Sequence, residues 1–229
     1  MFDKVRLICF DLDDTLWPCR SVIRAAEEEC YQWLDRETPR LTSRYSLEQL
    51  REHRLATGSE LPEIAHDLTE VRLRSLAALL EEAGYGVGLA HRASDVFRAA
   101  RNRVTPYADV VDALARLRES YTLVSVTNGN SQIEYTPLHR SFDHSLTAAE
   151  VGAAKPHPAI FHAASHSSGI PLDAFLHVGD DPFRDVQAAR EIGLPTVWVN
   201  RYRREWPASL DPADLEVGDI MELVDRLLA

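Results

Sequence analysis

The stretch Phe10-Asp11-Leu12-Asp13-Asp14-Thr15-Leu16 follows directly on the apolar run Val5 to Phe10, which is broken only by Arg6. A short continuous apolar run of this kind suits a strand buried on both faces of a parallel sheet. The strand then delivers three carboxylates within four residues, each disfavouring ionisation of the next. Such crowding requires a compensating cation.

Four later segments read in the same way: Tyr121 to Thr127, a weaker one at Asp143 to Thr147, Phe175 to Gly179, and Pro195 to Asn200. Between and after them lie segments of helical period, namely Asp109 to Glu119, Pro156 to Ser167, Pro182 to Ile192 and Asp219 to Leu228. Strands alternating with helices of this length predict an α/β fold with a doubly wound parallel sheet and right-handed crossovers.

The interval from Cys19 to Arg103 breaks the alternation. It contains SVIRAAEEECYQWL, SLEQLREHRLA and AHRASDVFRAARN, together with a 61–85 segment whose leucines and alanines recur as on an amphipathic helix ending at Gly84. It contains no convincing strand. The expectation is an all-helical domain, residues 19–103, inserted into a core made of residues 1–18 and 104–229. Its hinges would fall near Trp17 to Arg20 and Arg103 to Tyr107.

The 229 residues carry a formal net charge of -11, which argues against nucleic acid or an anionic membrane as the main partner. An anionic substrate would have to be drawn by a local positive site. The three cysteines, Cys9, Cys19 and Cys30, are read as reduced thiols, because their number and spacing suit neither a disulfide framework nor a zinc site. No apolar run approaches the roughly 18 residues of a membrane span, and no signal peptide precedes Val5, so a cytoplasmic protein is expected.

In a doubly wound sheet ligands bind beyond the carboxyl ends of the strands. There the first strand places Asp11, Asp13 and Asp14, and the second places Thr127-Asn128-Gly129. The strand ending at Gly179 places Asp180 and Asp181, with Asp185 one turn into the next helix, and Lys155 precedes Pro156. Asp14 is read as capping its own turn. His157, His162 and His166 are read as a solvated face, Glu27 to Glu29 as an exposed helix face, and Arg201, Arg203 and Arg204 as a surface loop.

FDLDDTL, TNG, a lone lysine before proline, and GDDPFRD, in this order, resemble the haloacid dehalogenase-like superfamily, with the helical insert similar to its type 1 cap. That resemblance implies a Rossmann-like core and one Mg²⁺ held by Asp11, the backbone carbonyl of Asp13, and Asp180. It implies Asp11 as the nucleophile that becomes an aspartyl-phosphate, Asp13 as acid and then base, and Lys155 as a neutraliser of phosphoryl charge. Thr127 and the amides around Asn128 and Gly129 would hold phosphate oxygens, while Asp181 and Asp185 would orient the ion's water and Lys155. The acid at Asp13 favours phosphoryl transfer over dehalogenation within that family.

EIAHDLTEVRLRSLAALLEEAG, VTNGNSQ and LHVGDDPFRDVQAA further resemble a bacterial phosphatase subgroup acting on FMN and 5-amino-6-(5-phospho-D-ribitylamino)uracil. The implied partner is a small phosphorylated metabolite, discriminated by the cap, with Trp17, Trp33 and Tyr45 as candidates to stack on a flat leaving group. A phosphatase for sugar phosphates or nucleoside monophosphates, a phosphomutase and a non-catalytic phospho-ligand sensor are the alternatives. Either a monomer or a homodimer is compatible with the sequence.

Overall fold

In the computed structural model, which describes residues 2–229, one parallel sheet is built from β1 (Leu7–Phe10), β2 (Thr122–Thr127), β3 (His144–Thr147), β4 (Phe175–Gly179), β5 (Thr196–Val199) and β6 (Leu215–Val217). Their order is β3-β2-β1-β4-β5-β6. All four residues of β1 are buried, as a strand covered on both faces requires. Leu7 to Phe10 lie opposite Thr122 to Ser125 on one side and Phe175 to Val178 on the other. The chain winds outward from β1 to β3 and then returns to β4, so the loops after β1 and β4 diverge. This is the topological switch point at which open α/β sheets place their ligands.

Interatomic contacts group the chain into two compact units. One holds residues up to Pro18, Thr105–Gly129 and Ile133–Ala229; the other holds Cys19–Val104 and Asn130–Gln132. Val104 and Asn130–Gln132 thus join the helical unit, where Gln132 N donates to Asn102 Oδ1 and Asn130 Nδ2 to Thr69 Oγ1.

The helical unit comprises α1 (Cys19–Glu37), the short α2 (Pro39–Thr42), α3 (Leu47–Glu60), α4 (Leu68–Glu82) and α5 (Gly88–Arg101). Its core joins Ala26, Cys30 and Leu34 of α1 to Leu76, Leu79 and Leu80 of α4 and Ala93 and Phe97 of α5. The amphipathic 61–85 segment is not one helix. Pro62–Ile64 forms a 3₁₀ turn, and Asp67 starts α4 by accepting from the amides of Thr69 and Glu70. Gly84, at φ +75°, ends it.

Glu27 is buried rather than exposed, accepting from Arg54 Nη2 at 3.0 Å and from both Nε and Nη2 of Arg51. Its charge made it look like a surface residue, but two arginines on α3 neutralise it inside the bundle. Trp33 faces Arg92, and the Tyr45 hydroxyl donates to Glu82.

The sheet unit adds α6 (Val110–Arg118), α7 (Ala148–Val151), α8 (Ala159–Ser168), α9 (Ala188–Glu191) and α10 (Ile220–Leu227). One core forms where Leu7, Cys9, Val124 and Phe175 of the sheet meet Ile160 and Phe161 of α8 and Ala188 and Ala189 of α9. Elsewhere α6 packs on α10, with Leu114, Leu117, Leu223 and Val224 all fully buried, each worth about 1.5–3 kcal/mol.

Three local readings are corrected here. The helix expected from Pro156 begins at Ala159, and the segment expected as one helix from Pro182 opens with a π-helical turn over Pro182–Gln187. A sixth strand, Leu215–Val217, was not expected, because three residues with Glu216 in the middle carry too little apolar pattern.

Candidate active site

The carboxylate oxygens of Asp11, Asp180 and Asp185 lie within 4.8 Å of one another. Asp11 is the first residue beyond β1, where its backbone N–H donates to Val178 O. Asp180 follows β4, and Asp185 projects back from the π-helical turn. Gly179 makes that approach possible: a Cβ there would collide with the carboxyl group of Asp185.

Lys155 reaches this cluster from the loop before α8. Its buried Nζ donates to Asp11 Oδ1 at 2.6 Å, Asp185 Oδ1 at 2.7 Å and Val126 O at 3.1 Å. The Asn128 side chain grips the lysine's backbone, Oδ1 accepting from Lys155 N at 2.7 Å and Nδ2 donating to Lys155 O at 2.8 Å. Asn128 therefore positions the lysine through its side chain, a role its place in the TNG turn did not suggest. Thr127 Oγ1 accepts from the Gly129 amide at 2.9 Å, so these two residues order each other.

The electrostatics of the cluster are uneven. Burial and the neighbouring Asp185 push Asp180 up to about 7, with Arg204 pulling the other way. Burial also raises Asp11 well above the usual carboxylate range, against the pull of Lys155. Burial acts on Asp185 in the same sense, but Lys155 and His177 outweigh it and hold that carboxyl low. One lysine serves two of the three acids, and the third is left with a guanidinium on its rim.

This site is short of positive charge, and its donors are all oxygen, which fits a hard divalent cation such as Mg²⁺. Asp185 has both oxygens engaged: Oδ1 by Lys155 and His177 Nε2, and Oδ2 by the Asp181 amide. On Asp11 each oxygen accepts a single donor, Lys155 Nζ at Oδ1 and Thr15 Oγ1 at Oδ2, and on Asp180 Oδ2 accepts from Arg204, so these two carboxylates are less heavily engaged than Asp185.

Asp13 Oδ1 accepts from the Trp17 indole N–H at 2.8 Å. Trp17 is fully buried, so the expectation that it stacks on a leaving group is corrected. Asp14 takes φ +59° and donates its amide to Trp17 O, closing the turn. The Oδ1 oxygen of Asp181 caps the following turn by accepting from Phe183 N and Arg184 N, each at 2.9 Å.

Five participants were not anticipated. Thr15 Oγ1 donates to Asp11 Oδ2, and His177 Nε2 contacts Asp185 Oδ1. Trp198 Nε1 donates to Asp180 O, and Arg204 Nη2 donates to both Asp180 O and Asp180 Oδ2. Arg201, read as a surface residue, is largely buried and pairs with Asp109. The histidine and the tryptophan sit inside apolar strands, where the sequence signals only core; the arginines sit in a run whose partners are distant in sequence.

The family model of haloacid dehalogenase-like hydrolases matches residues 5–193, across both sheet strands and helical insert. The chain belongs to that family. Against 5-amino-6-(5-phospho-D-ribitylamino)uracil phosphatase YigB of Escherichia coli (strain K12) it is 34% identical, covering 98% of this chain and 97% of that one. Against phosphoserine phosphatase of Thermus thermophilus it is 30% identical, over 96% and 98% of the two chains. The crystal structure of 2-haloacid dehalogenase from Pseudomonas syringae pv. Tomato DC3000 aligns with a TM-score of 0.88 at 32% identity, covering 98% of this chain and 100% of that one. Among the described residues, no helix is long and apolar enough to cross a membrane.

Proposed function

We propose that this haloacid dehalogenase-like hydrolase is a Mg²⁺-dependent phosphatase that cleaves a small phosphomonoester through an aspartyl-phosphate on Asp11. The observation carrying this reading is Asp13, an acid two residues beyond the nucleophile whose carboxylate is held by the Trp17 indole. A halide departs as a stable anion, whereas an alkoxide leaving from phosphorus needs a proton. An acid fixed beside the nucleophile suits the second case.

Mg²⁺ would be held by Asp11, Asp180 and the Asp13 carbonyl, and it would offset carboxylate and phosphoryl charge during the reaction. A carboxylate oxygen of Asp11 attacks phosphorus, forming the acyl phosphate as the ester P–O bond breaks. Asp13 gives its proton to the departing oxygen, then takes one from the water that attacks the acyl phosphate. Inorganic phosphate leaves and Asp11 is regenerated. Lys155 supplies fixed positive charge at the transferring group, held by Asn128 and by its ion pairs to Asp11 and Asp185.

5-amino-6-(5-phospho-D-ribitylamino)uracil is the first substrate to test, supported by the YigB similarity, and FMN, named by the motif resemblance, is tested beside it. The alternative of dehalogenation draws on the likeness to the Pseudomonas syringae enzyme. Purified protein with Mg²⁺ is expected to release phosphate from p-nitrophenyl phosphate and FMN, to stop in excess EDTA, and to leave 2-chloropropionate intact. Chloride release without phosphate release would reverse the assignment.

A further inference from the structure

Arg201 lies in the loop after β5, far in sequence from the Asp11 turn, yet its guanidinium is built into that turn. Nε donates to Thr15 O at 3.0 Å, across 186 positions of chain. Nη1 and Nη2 form a two-pronged bridge to Asp109 Oδ1 and Oδ2 at 2.9 and 3.0 Å. The guanidinium carbon sits 4.0 Å from the centre of the Tyr107 ring, and Tyr107 N itself donates to Leu16 O. Asp109 Oδ2 also accepts from Ile220 N at the start of α10. Only about a tenth of the Arg201 side chain is exposed, 9%.

Such a fork leaves Arg201 little rotational freedom, since three carbonyl or carboxylate oxygens fix its plane. The fixed plane sets the Thr15 backbone. Thr15, fully buried, uses Oγ1 to donate to Asp11 Oδ2 at 3.2 Å, while Lys155 holds Asp11 Oδ1. The two oxygens of Asp11 are therefore oriented from opposite sources, one by Lys155 and one through Thr15 and Arg201.

We infer that Arg201, braced by Asp109, is a positioning residue for Asp11: it fixes the Thr15 turn whose hydroxyl sets the rotation of the Asp11 carboxylate. The inference rests on Asp11 being the nucleophile for its kinetic consequence, but the restraint on the turn exists independently of the reaction. Reactive geometry is sensitive to small displacements, so a looser turn lowers the rate of attack more than it lowers substrate binding.

The test compares Arg201→Met, Arg201→Lys and Thr15→Val with wild type, plus the double variant Arg201→Met/Thr15→Val. Amide hydrogen exchange is read by mass spectrometry on peptides covering residues 11–17. Arg201→Met is expected to speed exchange there by about tenfold while distant strands keep their protection. With p-nitrophenyl phosphate its kcat falls by about tenfold and KM stays within about twofold, and Arg201→Lys recovers part of the loss. The double variant loses no more than the worse single variant, because both changes cut one path. Unchanged exchange over 11–17, or additive kcat losses, would overturn the inference. If wild type releases no phosphate, the phosphatase reading fails by itself, and the exchange result still decides whether Arg201 holds the turn. Should Arg201→Met not fold, Arg201→Lys carries the same exchange measurement.

Discussion

Gly179 and Asp185 are matched in shape: the space a side chain would need at residue 179 is filled by the carboxyl group of Asp185. That carboxylate is the hub of the site, accepting from Lys155, His177 and the Asp181 amide. The last residue of β4 must therefore be glycine for reasons of space, since its φ lies outside the left-handed range.

Gly179→Ala is expected to lower stability by about 1–3 kcal/mol, the usual cost of forcing an extra methyl into a packed site. It also displaces Asp185, so that Lys155 loses one anchor. Urea unfolding and turnover of p-nitrophenyl phosphate measure the two effects. A variant with wild-type kcat would mean that Asp185 does not set the lysine.

The parallel sheet was legible because Val5 to Phe10 and Phe175 to Gly179 are short apolar runs, broken only by Arg6 and His177, that end in acids, as strands buried on both faces do. Asp11 and Asp180 come together because strand ends of one sheet converge, and Lys155 joins Asp11 and Asp185 from the loop before α8. Glu27 and Arg201 were not legible. A charged residue in sequence carries no mark of the opposite charge that will meet it, and Arg51 and Asp109 lie on other elements. Trp17 misled in another way, because an aromatic beside a site reads equally as a stacking surface or as a buried donor.

Glu27 yields a prediction for the helical unit. Removing the carboxylate in Glu27→Ala leaves Arg51 and Arg54 without their shared buried partner, near Arg72, which burial and Arg54 push down to about 10. The expected loss is about 3–5 kcal/mol, the range for breaking a buried pair from one side. Glu27→Gln keeps an acceptor and should lose less. Equal losses in urea unfolding would assign the whole effect to the lost charge, with nothing left for packing or the remaining acceptor.

The acid cluster makes stability depend jointly on pH and divalent cation. Folding raises the Asp180 carboxyl from 3.8 to about 7, mainly by burial, and raises Asp11 in the same direction. A carboxyl whose pKa rises on folding favours the folded state below its unfolded pKa, and that contribution is lost as pH rises through the folded value. Without Mg²⁺, this term weakens stability from about pH 4 to about 7 and then levels off. Asp109 does not mask it. Despite its burial, Arg201 and the Ile220 amide hold Asp109 below 3.8, so its contribution is lost only in stronger acid. Millimolar Mg²⁺ should raise Tm by an increment that grows across this window, as read by thermal melts. An increment independent of pH would separate the ion from Asp180.

The choice between phosphoryl transfer and dehalogenation comes down to what Asp13 does for the leaving group, and leaving groups of different basicity test it directly. p-Nitrophenolate departs with little protonation, whereas an alkoxide such as the ribityl oxygen of FMN needs a full proton. Asp13→Asn should therefore slow FMN or another alkyl phosphate by about 10²–10⁴-fold, the usual worth of a general acid. The loss on p-nitrophenyl phosphate should be much smaller. Trp17→Phe removes the indole N–H that fixes Asp13 Oδ1 together with part of a fully buried ring, so it should show the same ordering of substrates with smaller factors. Packing damage from that change would lower both substrates alike, which keeps the two causes apart. If Asp13→Asn cost the same factor on both esters, Asp13 would not be the proton donor, and the observation that favours a phosphatase over a dehalogenase would be lost.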